Sequence, residues 1–252
     1  MELIRNTMAR YIDVKDNLKL ELNNSEVITL MINDNCDIEY KLSNGDYKVL
    51  VFNNSDHDLI INEKGTLDAC SLEINYIDLN TNKFKQSTNI ELINGSSINV
   101  NSIYLGINTK SIVFDIVNST RDTLTNISNN VVALKDSDIT LDVIGTIKKG
   151  AKNSKCYQKS RCLTLDKPKQ AKILPVLNID ENDVEASHSL SSGTIDENIL
   201  FYMNSRGLNR KQALILMISS YLIPDDSFYE EFEKGEEINK IVKEKVNNLC
   251  LM

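Results

Sequence analysis

Two histidines and five cysteines are the imidazole and thiol side chains of this chain of 252 residues that could bind a soft or borderline metal ion or, for the thiols, act as nucleophiles. The cysteines are scattered along the sequence, at Cys36, Cys70, Cys156, Cys162 and Cys250. No two of them form a CxxC pair, so we expect neither a zinc knuckle nor a self-contained iron–sulfur site. For Cys156 and Cys162, the closest pair, inert thiols that are buried or half-buried are the favoured interpretation.

The two histidines differ in their surroundings. His57 lies in the polar segment NNSDHDLI, where a solvated turn histidine is the simplest interpretation. His188 lies in DVEASHSLSSG, at the start of the segment Asp183–Gly207 that joins two parts of different composition. Neutral imidazole is a good iron ligand, but a lone histidine is more often a hydrogen-bonded structural residue. Chemistry alone leaves both roles of His188 open.

Charge and hydropathy narrow the class of protein. The formal net charge is -8, and no basic cluster is dense enough to neutralise a nucleic-acid backbone, so we expect no nucleic-acid partner. We interpret the lysine-rich stretch 148–172 as solvated surface. The N-terminus has no apolar signal region, and no window has the length of a membrane span. We therefore expect a reduced, cytoplasmic protein without a membrane partner.

The residues up to about 180 predict an all-β body. Short alternating or Ile/Val/Leu-rich runs follow one another from Asn17 to Asp166, separated by Asn, Asp, Ser or Gly. A sandwich, a barrel and a β-solenoid remain open, and the number and even spacing of the strands favour the solenoid. Pairs of asparagines predict corners at residues 23–24, 53–54 and 129–130, and Asn94-Gly95 predicts another. Asn44-Gly45 is a signal for a tight hairpin.

The C-terminal part predicts helices. Thr194 and Glu197 form a capping-box pattern, which predicts a helix from about Ile195 to Arg206 that ends at Gly207. Ile195, Ile199 and Tyr202 would share its apolar face. Asn209 is the predicted cap of a second helix that reaches Ile223, and a last amphipathic helix follows. The second helix is apolar almost all round, so a docking surface is its natural use.

Several motifs between Leu174 and Pro224 occur in a fixed order. They are P-x-L-x-I (Pro175, Leu177, Ile179), D-V-x-A-x-H (Asp183, Val184, Ala186, His188), G-x-I-D-E (Gly193, Ile195, Asp196, Glu197), FY-x-x-SRG (Phe201, Tyr202, Ser205, Arg206, Gly207) and A-x-x-L (Ala213, Leu216). This set resembles the SufB/SufD family, the scaffold subunits of the SUF iron–sulfur cluster assembly machine. Weaker similarity extends upstream over roughly the C-terminal two thirds of the chain.

The resemblance implies a mainly β fold, with a right-handed parallel β-helix (β-solenoid) body in residues 1–193 and a C-terminal α-helical domain in residues 194–252. It is closer to SufD than to SufB, because Ser189 stands where SufB-like proteins carry a glutamate after the histidine. Cys162 in QKSRCLTL matches a non-ligand position of SufD-like chains. Leu190-Ser191 replaces the usual Ala-Thr, and the chain resembles a short form without the family's N-terminal helical domain.

The resemblance also implies a SufD-like function without enzymatic turnover or catalytic residues. The chain would pair with a SufB-like scaffold through the β-helix, and its C-terminal helices would dock a SufC-like ATPase. His188 would be a ligand of a transient Fe–S cluster shared with the SufB-like partner. The docking residues would be Phe201, Tyr202, Arg206 and Leu214. Whether the assembled complex binds a flavin is left open.

Three alternatives remain at this point. The chain could be a purely structural β-helix subunit without a metal role, or a SufB-like homodimeric scaffold. A carbohydrate-active β-helix enzyme would need paired carboxylates on one sheet face and normally a secretion signal, and no such signal is present in the sequence.

Overall fold

The computed structural model describes residues 9–165 and 168–249, and this part of the chain holds fifteen β-strands followed by four α-helices. The strands are β1 Ala9–Val14, β2 Leu18–Leu22, β3 Glu26–Ile32, β4 Cys36–Ser43, β5 Asp46–Asn53, β6 Leu59–Asp68, β7 Ser71–Asp78, β8 Phe84–Ile93, β9 Ser97–Gly106, β10 Thr109–Asn118, β11 Leu124–Ala133, β12 Asp138–Ile147, β13 Ser154–Thr164, β14 Gln170–Ile179 and β15 Val184–Thr194. The helices are α1 Glu197–Ser205, α2 Arg210–Leu222, α3 Asp226–Glu230 and α4 Gly235–Leu249.

The strands form two parallel sheets. Odd-numbered strands stack in the order β1-β3-β5-β7-β9-β11-β13-β15, and even-numbered strands in the order β14-β12-β10-β8-β6-β4-β2. Consecutive strands therefore lie in different sheets, and each turn of the chain adds one strand to each sheet. This confirms the predicted β-helix body, with helices C-terminal to it.

Left-handed residues make many of the corners. Asn44 has φ 52° and Asn94 has φ 54°, followed by Gly95 at φ 74°. The prediction of a hairpin at Asn44-Gly45 is wrong, because β4 and β5 belong to different sheets. A left-handed asparagine turns the chain at a solenoid corner as readily as in a hairpin.

The corner predicted at residues 129–130 is also wrong, because both asparagines lie inside β11. Asn129 is buried, accepts a hydrogen bond from Ser102 Oγ at 2.6 Å and donates one to Ser160 Oγ at 3.1 Å. Its neighbours in the adjacent coils thus satisfy its amide, which allows asparagine to occupy a strand interior.

Two apolar cores share the 8-stranded sheet. The inner core fills the β-helix between the two sheets and includes Tyr40, Tyr104 and Phe114. The second core lies on the outer face of the 8-stranded sheet, where the side chains that point away from the β-helix interior contact the helices. It contains Leu50, Leu105 and Val132 from the sheet and Ile218, Leu222, Ile238, Val242 and Val246 from α2 and α4. The helices are therefore packed on the β-helix by apolar contact.

The first helix starts later than predicted. β15 continues its pairing with β13 as far as Thr194, so Thr194 is extended and does not cap the helix. Asp196 is the N-cap, and its side chain accepts the Asn198 amide at 2.8 Å. The predicted apolar face is wrong for Ile199 and Tyr202, which are exposed, since Leu200 is the buried residue of α1; Ile195, before the helix, packs partly buried against the second core.

The other helix ends agree closely with prediction. Gly207 has φ 95°, as a glycine that ends a helix in a left-handed turn should. The Asn209–Gln212 capping box is present, and α2 ends at Leu222, one residue before the predicted end. The predicted last amphipathic helix is α4, which buries Ile238, Val242 and Val246 on one face, with Ile241 partly buried beside them.

The carboxyl group of Glu63 lies inside the β-helix. Glu63 is 3% exposed; it accepts hydrogen bonds from Tyr40 Oη at 2.8 Å, Thr88 Oγ1 at 2.6 Å and Gln86 Nε2 at 3.1 Å. Burial raises the pKa of the Glu63 carboxyl, although these hydrogen bonds oppose the shift. The folded state therefore favours the protonated form more than the unfolded chain does.

This pKa shift predicts a pH-dependent contribution to stability. The contribution of Glu63 is fully present below the unfolded pKa of about 4.3 and is lost as the pH rises through the higher folded pKa. The free energy of unfolding of Glu63→Gln, relative to wild type, should increase between pH 4 and pH 7 by on the order of 1 kcal/mol. Urea titrations at both pH values measure it, with the exposed Glu244→Gln as control. The prediction is contradicted if the free energy of unfolding of Glu63→Gln changes with pH in the same way as that of the wild type.

Candidate partner interface and metal ligand

The last coil of the β-helix has an open end. β14 and β15 stand at the ends of their sheets, so each pairs with one neighbour and has its other edge free of any described strand. The free edge of a strand carries unpaired backbone N–H and C=O groups, which can pair with another chain. Residues 9–14 and 18–22 occupy the opposite end of the two sheets.

Apolar side chains are exposed at this open end. Leu174 is 39% exposed, Val176 38%, Ile179 39% and Leu190 44%. Leu190 continues the interior column of Asn129 and Ser160, so it faces the core side and is exposed because no further coil covers it. Several large apolar side chains on adjacent strands are typical of an interaction surface.

His188 belongs to the same end. In strand register it follows Val100, Ile127 and Gln158, a column that faces the β-helix interior. Gln158 is only 3% exposed, whereas His188 in the terminal strand is exposed. The imidazole thus lies over the open end of the core, and no side chain among the described residues bonds to it.

The chain on its own offers no complete metal site in residues 9–165 and 168–249. Within these residues, no three side chains of the His, Cys, Asp and Glu types cluster closely enough to hold a metal ion. His188 could therefore supply a single ligand at this end of the β-helix. His57 contacts Asp34 at 3.4 Å and Asp56 at 3.2 Å on the exposed surface, which agrees with its interpretation as a turn residue.

The described cysteines have the properties of inert thiols, as predicted for Cys156 and Cys162. Cys36, Cys70, Cys156 and Cys162 are buried and free. Burial raises the pKa of Cys36 and of Cys156 to about 12, and it also raises the pKa values of Cys70 and Cys162. Thiols with raised pKa values are poor nucleophiles and ligands at neutral pH. Cys250 lies outside the described residues.

The helices expose a second apolar surface. Phe201 is 74% exposed and Tyr202 59%, and the Arg206 guanidinium lies 5.2 Å from the centroid of the Tyr202 ring. Arg210 Nη1 and Nη2 each lie 2.9 Å from a carboxylate oxygen of Glu197, which ties α2 to the start of α1.

The structure adds two exposed residues to this helical surface that were not among the predicted docking residues. Leu216 is 50% exposed and Ile199 46%, whereas the predicted docking residue Leu214 is half-buried. Because α2 is apolar on nearly every side, its sequence could not show which leucine faces the core. No helix in the described part of the chain combines the length and apolar character needed to traverse a bilayer.

These features define a parallel β-helix protein with an open last coil and an exposed apolar helix surface. Residues 5–221 match the profile of the SufBD core domain, described as "SUF system FeS cluster assembly". The chain belongs to this SufBD family. The match also includes the first third of the chain, where the sequence resemblance rested on β character alone.

Individual relatives match shorter segments. The chain is 38% identical over 92 residues to the iron–sulfur cluster assembly protein SufD of Bacillus subtilis (strain 168), covering 36% of this chain and 21% of that protein. It is 31% identical over 78 residues to a SufBD family protein of Mycobacterium tuberculosis (strain ATCC 25618 / H37Rv), covering 31% and 9%. A SufBD family protein of Pyropia yezoensis is 29% identical over 79 residues, covering 31% and 16%. These similarities support the likeness to SufD, although the matched segments span about a fifth or less of each relative.

The burial difference along α1 can be tested by alanine substitution. Leu200 is 1% exposed, so Leu200→Ala should lower the free energy of unfolding by about 2–5 kcal/mol. Phe201→Ala and Tyr202→Ala should change it by less than about 0.5 kcal/mol, because both rings are solvated. Denaturant titration of the three variants measures this contrast. A loss for Phe201→Ala as large as that for Leu200→Ala would show that the ring is packed.

Proposed function

We propose that this protein is a SufD-like subunit of an iron–sulfur cluster assembly complex. The observation that carries the proposal is the open last coil, in which two unpaired strand edges, exposed apolar side chains and His188 occur together. The chain binds a SufB-like scaffold there and docks a SufC-like ATPase through its helices. In this proposal the protein catalyses no reaction of its own and acts in the cytoplasm. Its β-helix domain comprises residues 1–193, and its helical domain comprises residues 194–252.

The backbone of the open coil supports pairing with a scaffold of the same kind. A strand of the partner can add to the free edge of β14 or β15, which satisfies backbone groups that now face water. Leu174 and Val176 face outward from the 7-stranded sheet, while Ile179 and Leu190 face the core side. A partner that covers both kinds of side chain would bury apolar surface on association.

The helix surface supports a separate docking site. Ile199, Phe201 and Tyr202 on α1 and Leu216 on α2 are exposed, and α2 is fixed to the β-helix by Ile218 and Leu222. Exposed aromatic rings on a rigidly packed element are common anchors of protein interfaces. Phe201, Tyr202, Arg206 and Leu214 therefore remain the proposed contacts to the ATPase, and we add the exposed Leu216 to them.

His188 is proposed as the ligand that this chain gives to the cluster. The cluster is the cargo of the complex, and its remaining ligands would come from the SufB-like partner. One imidazole from this chain and a cysteine thiolate from the partner would form a site that exists only in the assembled pair. Binding of a flavin by the assembled complex stays a hypothesis.

Co-purification with the SufB-like and SufC-like proteins of the same cell tests the proposal. The tagged wild-type chain should recover both. Leu190→Asp should lose the SufB-like protein and keep the ATPase, since it places a charge on the open end. Phe201→Asp should do the reverse. Ile60→Asp is the matched control, because Ile60 is 45% exposed on the outer face of β6, and this variant should recover both.

The same complexes test the role of His188. His188→Ala should keep both partners and lower the iron and sulfide bound after reconstitution, which separates a ligand from a purely structural residue. Loss of either partner in His188→Ala would contradict the ligand role as stated. Recovery of the wild-type chain alone, or as a homodimer without either partner, would overturn the proposed function.

A further inference from the structure

The residue directly beneath His188 is a buried glutamine. Gln158 on β13 is the register partner of His188 on β15, so their side chains project to the same side of the sheet. Gln158 is 3% exposed and interrupts a column that is otherwise apolar in the preceding coils, Val100 and Ile127. A polar residue at this depth requires an explanation, because burying an amide without hydrogen bonds is unfavourable.

A hydrogen bond from its nitrogen fixes the orientation of the Gln158 side-chain amide. Nε2 donates a hydrogen bond to the backbone oxygen of Val176 at 3.1 Å, and the reverse orientation would place two oxygens against each other. Gly145 leaves room for this arrangement. A Cβ atom at position 145 would lie 2.9 Å from Gln158 Nε2 and 2.4 Å from Cys156 Sγ.

The oxygen of the same amide has no partner. Gln158 Oε1 is buried and makes no hydrogen bond to any described residue. The next inward side chain on β13, Ser160, accepts a hydrogen bond from Asn129 Nδ2 at 3.1 Å, and its hydroxyl makes no hydrogen bond to Gln158 Oε1. In the neighbouring strand, the residue in register with Gln158 that carries a donor is His188, and its ring is unbonded among the described residues.

We infer that Gln158 is a positioning residue for His188. In the assembled complex, Oε1 accepts the N–H of one imidazole nitrogen, which leaves the other nitrogen unprotonated and directed to the ligand position. Metal-binding histidines almost always donate their second N–H to a carbonyl or carboxylate oxygen, which fixes both the tautomer and the ring orientation. The orphaned amide oxygen fits that requirement. The inference rests on the proposed function, since it assigns a support to the same ligand.

The first readout observes the hydrogen bond itself in the wild-type chain. The sequence has two histidines, so ¹⁵N-histidine labelling gives ring-nitrogen signals from two imidazoles. The signals that disappear in His188→Ala belong to His188. In the complex with the unlabelled SufB-like partner, His188 should show a slowly exchanging ring N–H, while the exposed His57 should not. The same signal should be absent in Gln158→Met, which keeps the side-chain length and removes the acceptor. Absence of a protected His188 N–H in the wild-type complex would overturn the inference without any mutation.

The second readout is the affinity of the complex for Fe(II) under anaerobic conditions. Gln158→Met should lower the His188-dependent affinity about 10- to 100-fold, the range typical of lost outer-shell partners. Ser160→Ala is the matched control, because it alters the adjacent interior residue of the same strand and should remain within about twofold of wild type. Thermal melting and partner recovery confirm that each variant is folded and assembled.

These variants distinguish the positioning role of Gln158 from the ligand role of His188. Loss of affinity in both His188→Ala and Gln158→Met, with Ser160→Ala unchanged, supports the inference. Loss in His188→Ala alone overturns the role of Gln158 and leaves the proposed function in place. If His188→Ala binds Fe(II) as wild type does, the ligand role of His188 is wrong, and the inference fails with it.

Discussion

The architecture depends on the pairing of parallel backbone edges. Each strand of the β-helix satisfies its N–H and C=O groups through the coils above and below it, so a coil is complete only between two neighbours. The last coil has one neighbour. Its strands, β14 and β15, therefore combine unpaired backbone with side chains such as Leu190 that would be core residues anywhere else in the stack. The same geometry that stabilises the body creates the surface on which the proposed pairing depends.

The helices cover another part of the molecule. α2 and α4 pack on the outer face of the 8-stranded sheet, and the Arg161 guanidinium lies 4.3 Å from the centroid of the Tyr221 ring, linking β13 to α2. The open coil is left uncovered by this packing, and α1 presents Phe201 and Tyr202 away from the core. The open coil and the exposed helix surface are thus separate surfaces, which the proposed binding of two partners requires.

The sequence predicted the fold well, because the alternation of apolar residues and the asparagine-rich corners report local geometry. The prediction failed where the same sequence pattern is compatible with two backbone conformations. Asn44-Gly45 turns a solenoid corner instead of a hairpin, and Thr194 ends a strand instead of capping a helix. The family resemblance singled out His188, but no local pattern could show that it stands in the interior column above Gln158. That relation depends on register between residues thirty positions apart, which only the stacked coils define.

Hydrogen exchange of the backbone in the free chain and in the complex tests the central claim most directly. The claim is that the open last coil is the surface that binds the SufB-like scaffold. Addition of that partner should slow exchange in residues 170–179 and 184–194, whose strands have free edges in the isolated chain. Exchange in the central strands, such as residues 71–78, should be unchanged. A complex that forms with no protection of the last coil, and with protection elsewhere on the β-helix, would contradict the account.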